Sequence, residues 1–173
     1  METRAPETLT PDWMAGRGRL PWSWAVGQLK VERNYWLVTI RRGGFPQARP
    51  VWGVWSDDDD GLYLSVGHGG LQRATGPAVA MPITVHVDSA ADVVIIEGVI
   101  DRIVAFAGDP SSEPTLDVPV EARRAALIAY NEKYSWNFDV DGDGLNFFVR
   151  PKRIYAWQST PTEVVASSRF TIS

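Results

Sequence analysis

Residues 35–55 read YWLVTIRRGGFPQARPVWGVW, and the way this stretch folds decides the architecture. Its first seven residues are rich in β-branched and aromatic side chains, which suit a pleated, half-buried surface. They stop at Gly43-Gly44, a pair that accepts the positive φ of a tight hairpin turn. Residues 35–41 and 47–55 are therefore expected to pair as a hairpin. Pro50 lacks an N–H and sits awkwardly at an interior ladder position. Trp52 and Trp55, three apart on the second arm, fall on opposite faces.

Working outward, Ser56-Asp57-Asp58-Asp59-Asp60-Gly61 follows and LYLSV begins at once. Four like charges at a hairpin tip read as a solvated turn rather than an ion site. Beyond a glycine-rich loop, ITVHVD alternates Ile83, Val85 and Val87 against Thr84, His86 and Asp88, the period of a half-buried strand. VVIIEGVIDRIV is a longer strand whose Gly98 marks a bulge or bend. Near the C-terminus LNFFVR and RIYAW read as two strands separated by Pro151-Lys152, and SSRFTI as a last one.

Two helices flank these strands. After Pro21, Trp22, Val26 and Leu29 recur at i, i+4 and i+7. After Pro119, Val120, Leu127, Tyr130 and Tyr134 share a face, with Asp117 and Glu121 at the positive end of the dipole. Strands 8–12 residues apart with hairpin turns indicate an antiparallel barrel or sandwich rather than βαβ units. The whole chain, 1–173, is expected to be a single domain, with 1–20 a loose tail and 21–173 the barrel and its helices.

Composition narrows the chemistry. The 173 residues carry a formal charge of −4 and a sequence pI of about 5.2, the wrong sign for a general nucleic-acid or anionic-membrane binder. There is no cysteine, so no disulfide, thiolate metal site or cysteine nucleophile. No stretch approaches the roughly 20 apolar residues of a membrane helix and the start lacks an apolar signal core, so a cytoplasmic protein is expected. Only two histidines are present, with no G-x-S-x-G or H-E-x-x-H. Asp139-Val140-Asp141-Gly142-Asp143-Gly144 imitates the start of a calcium loop, but the twelfth position is Arg150 where a bidentate Glu is needed, so it reads as a turn. No catalytic acid, base or metal ligand is assigned.

A ligand site is better supported. In SVGHGGLQR, Ser65 offers a hydroxyl, Gly67, Gly69 and Gly70 let backbone N–H groups converge, and Arg73 brings a positive fork, the parts of a phosphate cradle. Arg49 beside Trp52 supplies a cation next to an aromatic wall, as a phosphorylated planar ligand requires. The eight tryptophans divide accordingly: Trp22, Trp24 and Trp36 are expected to pack the first helix on the barrel, and Trp13, Trp55 and Trp136 stay unassigned.

Taken in order, YWLVTIRRGGFPQARPVWGVW, GLYLSV, the glycine turn, PITVHVDS, VVIIEGVIDRI, Tyr130 with KY, and VRPKRIYAW resemble the pyridoxamine 5′-phosphate oxidase-like family. The likeness runs from about residue 22 to residue 170 and is nearest to the branch with deazaflavin (coenzyme F-420) dependent reductases. It implies a mainly β fold, an FMN-binding split β-barrel of six antiparallel strands in a Greek key with flanking helices. It also implies a homodimer with cofactor sites at the subunit interface, FMN or alternatively coenzyme F-420 as cofactor, and a small-molecule substrate that exchanges hydride with it. A binding protein that holds a flavin, deazaflavin or haem without turnover is the competing expectation. By this resemblance Arg49 reaches the cofactor phosphate, Val51 and Trp52 run along the ring, and Ser65 and Val66, with Gly67, lie near the phosphate. Arg73 falls near the basic residues of the following helix, and Trp157 and Arg169 match groups that approach the ring, in many members from the other subunit. The loop GGLQRATGPAVAM departs from the family's S-x-K-x-x-N-L, and the closing R-x-H-D-R of the vitamin-salvage oxidase is replaced by STPTEVVASSRF, so pyridoxamine phosphate is not the expected substrate.

Overall fold

The β-rich reading is realised as a closed barrel. The computed structural model describes residues 7–9, 18–41, 43–67, 80–105 and 113–172. Its elements are β1 (Glu7–Leu9), α1 (Trp22–Val31), β2 (Tyr35–Ile40), β3 (Pro46–Ser56), β4 (Gly61–Ser65), β5 (Met81–Val87), β6 (Asp92–Arg102), α2 (Val120–Tyr134), β7 (Phe147–Ser159) and β8 (Val164–Thr171). All strand pairings are antiparallel. The order β7–β4–β3–β2–β5–β6 returns to β7, so six strands make a ring, with β8 laid along β7 and β1 along β8. β2, β3 and β4 form a meander and β5 comes back beside β2, which is the Greek-key connection.

The opening hairpin forms as its residues dictate. Tyr35 pairs with Val51 and Ile40 with Pro46, around Gly43 and Gly44 at φ of 100° and 85°. Tyr35 and Leu37 turn into the barrel and are fully buried, whereas Trp36, on the alternate face, donates its indole N–H to Asp88 at 2.7 Å. Trp36 thus caps the β5 end of the sheet rather than packing α1. Trp22 does pack: it meets Trp55 and Phe170 edge-on at 6.0 and 5.1 Å, while Ala25 and Leu29 seat α1 in the core. Trp55 is interior and Trp52 on the opposite face, as their spacing requires.

Three expectations are corrected. The residues read as two strands around Pro151-Lys152 are one strand, β7. Gly98 pairs with Pro151 and Glu97 with Arg153, so Lys152 is the extra residue of a bulge that absorbs the proline without ending the ladder. The bulge falls where Gly98 was expected to bend the sheet. The 1–20 segment is not loose throughout: Glu7–Leu9 pairs with Arg169–Thr171, and the Leu20 N–H and carbonyl both bond the buried Ser168 hydroxyl, at 3.0 and 2.8 Å. Val120 lies outside the buried face of α2, 52% exposed, because packing begins a turn and a half later at Ala126 and Leu127.

The two acidic segments are turns. Ser56 Oγ bonds Asp59, and Asp57 takes Lys30 and the Trp55 indole. Asp139 accepts the N–H groups of Asp141 and Gly142, and Asp141 pairs with Arg124. Among the described residues no group of His, Asp and Glu is placed to hold a metal ion, and no helix is long and apolar enough to cross a membrane.

Candidate functional site

β3 changes neighbours along its length. Residues 46–51 pair with β2 and residues 52–56 with β4. Among the described residues the edge of β3 facing away from β2 therefore carries no strand up to Val51, and Pro50 lies on this open part. A cleft of about 570 Å³ occupies the gap, lined by Asn34, Arg49, Pro50, Val51, Trp52, Ser65, Val66 and Gly67. That volume falls in the range of roughly 300–1,000 Å³ usual for small-molecule sites.

Arg49 supplies the positive charge. Its Nη2 donates to Gln47 Oε1 at 2.8 Å, and the same oxygen accepts Arg41 Nε at 3.0 Å. Arg49 Nε is buried with no hydrogen-bond partner among the described residues. Burial, and then the charge of Arg41, lower the Arg49 pKa from its ordinary value, although a guanidinium stays charged at neutral pH. An anion at the guanidinium would offset the repulsion from Arg41.

The opposite wall is the end of β4. Ser65 pairs with Trp52 across the ladder, so both side chains leave the same face. The next residue, Val66, is gripped by Asn146, whose Oδ1 accepts the Val66 N–H and whose Nδ2 donates to the Val66 carbonyl, each at 3.0 Å.

Trp52 forms the flat wall and is 47% exposed. Trp136 meets it edge-on at 5.1 Å and 90°, and is itself surrounded by Tyr130, Tyr134 and Phe138 at 5.2 to 5.5 Å. The end of α2 also completes the ladder where β2 has stopped. The Tyr134 hydroxyl accepts the Gly53 N–H at 3.1 Å, and Lys133 Nζ donates to the Gly53 carbonyl at 3.1 Å and to the Tyr35 hydroxyl at 2.7 Å. Burial pulls the Lys133 pKa down to about 8. A Cβ on Gly53 would sit 2.5 Å from the Tyr63 carbonyl oxygen, so this point of the β3–β4 ladder requires glycine.

Six of the residues singled out in the sequence, Arg49, Val51, Trp52, Ser65, Val66 and Gly67, thus line one cleft. Arg73 and the glycine turn beyond Gly67 lie outside the described residues. Trp157 and Arg169 are not in the cleft lining. Trp157 lies between Val93 and Ser167, ten residues along β7 from Phe147, or about 30 Å at roughly 3.3 Å per residue. Arg169 lies between Leu9 and Tyr155. Asn146 and Trp136 had no signal of their own in the sequence, and Lys133 entered only within the KY of the resemblance, because each acts through a contact between distant segments.

The fold is shared with solved structures. A conserved hypothetical protein from Mycobacterium tuberculosis has a TM-score of 0.56 at 15% identity, over 84% of this chain and 89% of that one. A NimC/NimA family protein from Clostridium acetobutylicum has a TM-score of 0.52 at 17% identity, over 87% and 91%. A protein from Bacteroides thetaiotaomicron named for 5-nitroimidazole antibiotic resistance has a TM-score of 0.54 at 12% identity, over 94% and 87%. At these identities the likeness is one of fold. No protein-family model matches the sequence, and no curated protein matches it.

Proposed function

We propose that the cleft holds a phosphorylated, planar redox cofactor of the flavin type, FMN foremost and coenzyme F-420 as the alternative, and that the protein passes hydride between it and a small organic acceptor. The observation that carries this reading is that Arg49, Ser65 and the exposed Trp52 line one cleft. When bound, such a group supplies the two-electron chemistry itself. The chain's own residues bind and orient it: Arg49 and Ser65 take the phosphate, and Val51 and Trp52 lie along the ring. With the family's loop lysine missing, Arg49 bears most of the anchoring.

A second copy of the chain is expected to complete the site by bringing Trp157 and Arg169 toward the ring, since within one chain they lie away from the cleft. The fold neighbour named for 5-nitroimidazole resistance supports nitroheterocycles as the first acceptors to assay. The test is to purify the protein, record its absorption spectrum and identify any released ligand by mass spectrometry. FMN or a deazaflavin supports the reading and tells the two apart. A protein that takes up neither refutes it, and one that holds a cofactor but turns over no acceptor is a carrier.

A further inference from the structure

Four tyrosines are buried in the chain's two cores, and three have hydrogen-bond partners. Tyr35 donates to the Leu29 carbonyl, Tyr63 to Asp59 Oδ2 at 2.9 Å, and Tyr134 bonds Gly53 and the Arg33 carbonyl. Tyr130 is the exception. It is fully buried in the layer between α2 and the outer face of β4, with Tyr134 at 4.7 Å and Trp136 at 5.5 Å, yet its hydroxyl has no well-formed hydrogen bond among the described residues. A buried hydroxyl left in this state costs free energy and calls for a physical reason.

The reason lies on β4. Tyr63 packs in the same cluster as Tyr130, and Ser65, two residues on, leaves the strand from the same face and lines the cleft. The Ser65 hydroxyl is near enough to Tyr130 to draw the phenol pKa down against the larger push of burial, which raises it to about 12. Tyr130 therefore keeps its proton across the physiological range and acts as a donor. A serine hydroxyl has one proton to give and two lone pairs to receive. If its proton goes to an anionic oxygen in the cleft, a lone pair turns back to accept from Tyr130, and the two bonds polarise each other.

We propose that Tyr130 is a positioning residue for the anionic end of the ligand, acting from beneath the cleft through Ser65, whose hydroxyl it orients as a donor to a phosphate oxygen. The proposal rests on the reading of the cleft as a phosphate-anchored cofactor site. Tyr130 does not touch the ligand, and its unsatisfied hydroxyl in the free protein is the cost of readiness for one.

The test compares FMN with riboflavin, the same ring without phosphate, by titrating the purified protein and its Tyr130→Phe, Ser65→Ala and doubly substituted variants. Tyr130→Phe is expected to weaken FMN about 2- to 10-fold, the range of one hydrogen bond, and to leave riboflavin unchanged. In the Ser65→Ala background the same change is expected to do nothing further. Because the hydroxyl is unsatisfied, the free Tyr130→Phe protein is expected to melt at the same temperature or higher, so a folding defect is separable. Equal loss of both ligands, no loss of FMN, or losses that add in the double variant each overturn the proposal. If the unaltered protein binds neither flavin, the cofactor reading fails and takes the proposal with it; FMN binding indifferent to Tyr130 overturns the proposal alone.

Discussion

Asn146 holds Val66 by both of its backbone polar groups, at 3.0 Å each, across 80 residues of sequence. The carboxamide thereby substitutes for a strand neighbour at the point where β4 ends and the cleft begins. Asn146→Ala would leave a buried N–H and a buried carbonyl without partners, a loss of about 2–4 kcal/mol. Asn146→Asp keeps the acceptor but sets an oxygen against the Val66 carbonyl, so it is expected to destabilise at least as much. Urea unfolding of the two variants checks this, and ligand affinity is expected to fall with stability in both.

Trp52 and Trp136 meet at right angles but serve different ends. Trp52 is half exposed, so Trp52→Ala is expected to cost little stability, under about 1 kcal/mol, while weakening any planar ligand markedly. Trp136→Ala removes the packing centre of Tyr130, Tyr134 and Phe138 and is expected to cost about 2–4 kcal/mol. Thermal melts and ligand titrations on the two variants are expected to rank them in opposite order.

Arg49 tests the anchor. Arg49→Ala removes a charged donor from the cleft and is expected to weaken FMN about 10- to 100-fold, the worth of a charge-assisted bond, with a smaller effect on riboflavin. Arg49→Lys keeps the charge but loses the planar guanidinium fork, so recovery is expected to be partial. Equal affinities for all three proteins would place the phosphate elsewhere.

Lys133 makes stability depend on pH in a defined window. Its pKa is about 8 in the folded protein against 10.5 in a free lysine, so between these values the unfolded chain binds more protons. Stability is then expected to rise as pH increases from about 8, by about 1 kcal/mol up to pH 9, and to be lost again as pH falls through 8. The tyrosines do not interfere below about 9; above that the unfolded phenols ionise while burial keeps the folded ones protonated, which turns stability down again. Lys133→Met is expected to flatten this rise, as measured by unfolding at about pH 7, 8, 8.5 and 9.

Gly53 pairs with Leu64 where β3 joins β4, close against the Tyr63 carbonyl. Gly53→Ala would drive a methyl to 2.5 Å from a carbonyl oxygen and 2.6 Å from a leucine methyl, and a strand ladder cannot shift to make room. A loss of about 2–3 kcal/mol or failure to fold is expected, read from soluble yield and melting temperature.

Much of this architecture is legible in local chemistry. The alternation of Tyr35, Leu37, Val51 and Trp55 against Trp36 and Trp52 sets which side chains enter the barrel, and a period of two leaves no other choice once one face is buried. Gly43-Gly44 writes its own turn, and Gly98 marks the bulge. Pro151 misleads as a strand break because its effect depends on whether the partner strand supplies a bulge opposite it, which only the β6 register reveals.

By itself, then, the sequence determined most of the strands, their faces and the residues suited to an anion and an aromatic ring. Only the tertiary structure decided that Arg49 and Ser65 share a cleft, because that depends on β3 leaving β2 at Val51 and joining β4 at Trp52. It likewise decided that Asn146 pins the cleft wall and that α2 seals the ladder at Gly53. Periodicity is a property of neighbours along the chain and survives in any window of sequence. A hydrogen bond between residues 80 apart exists only after the barrel has closed.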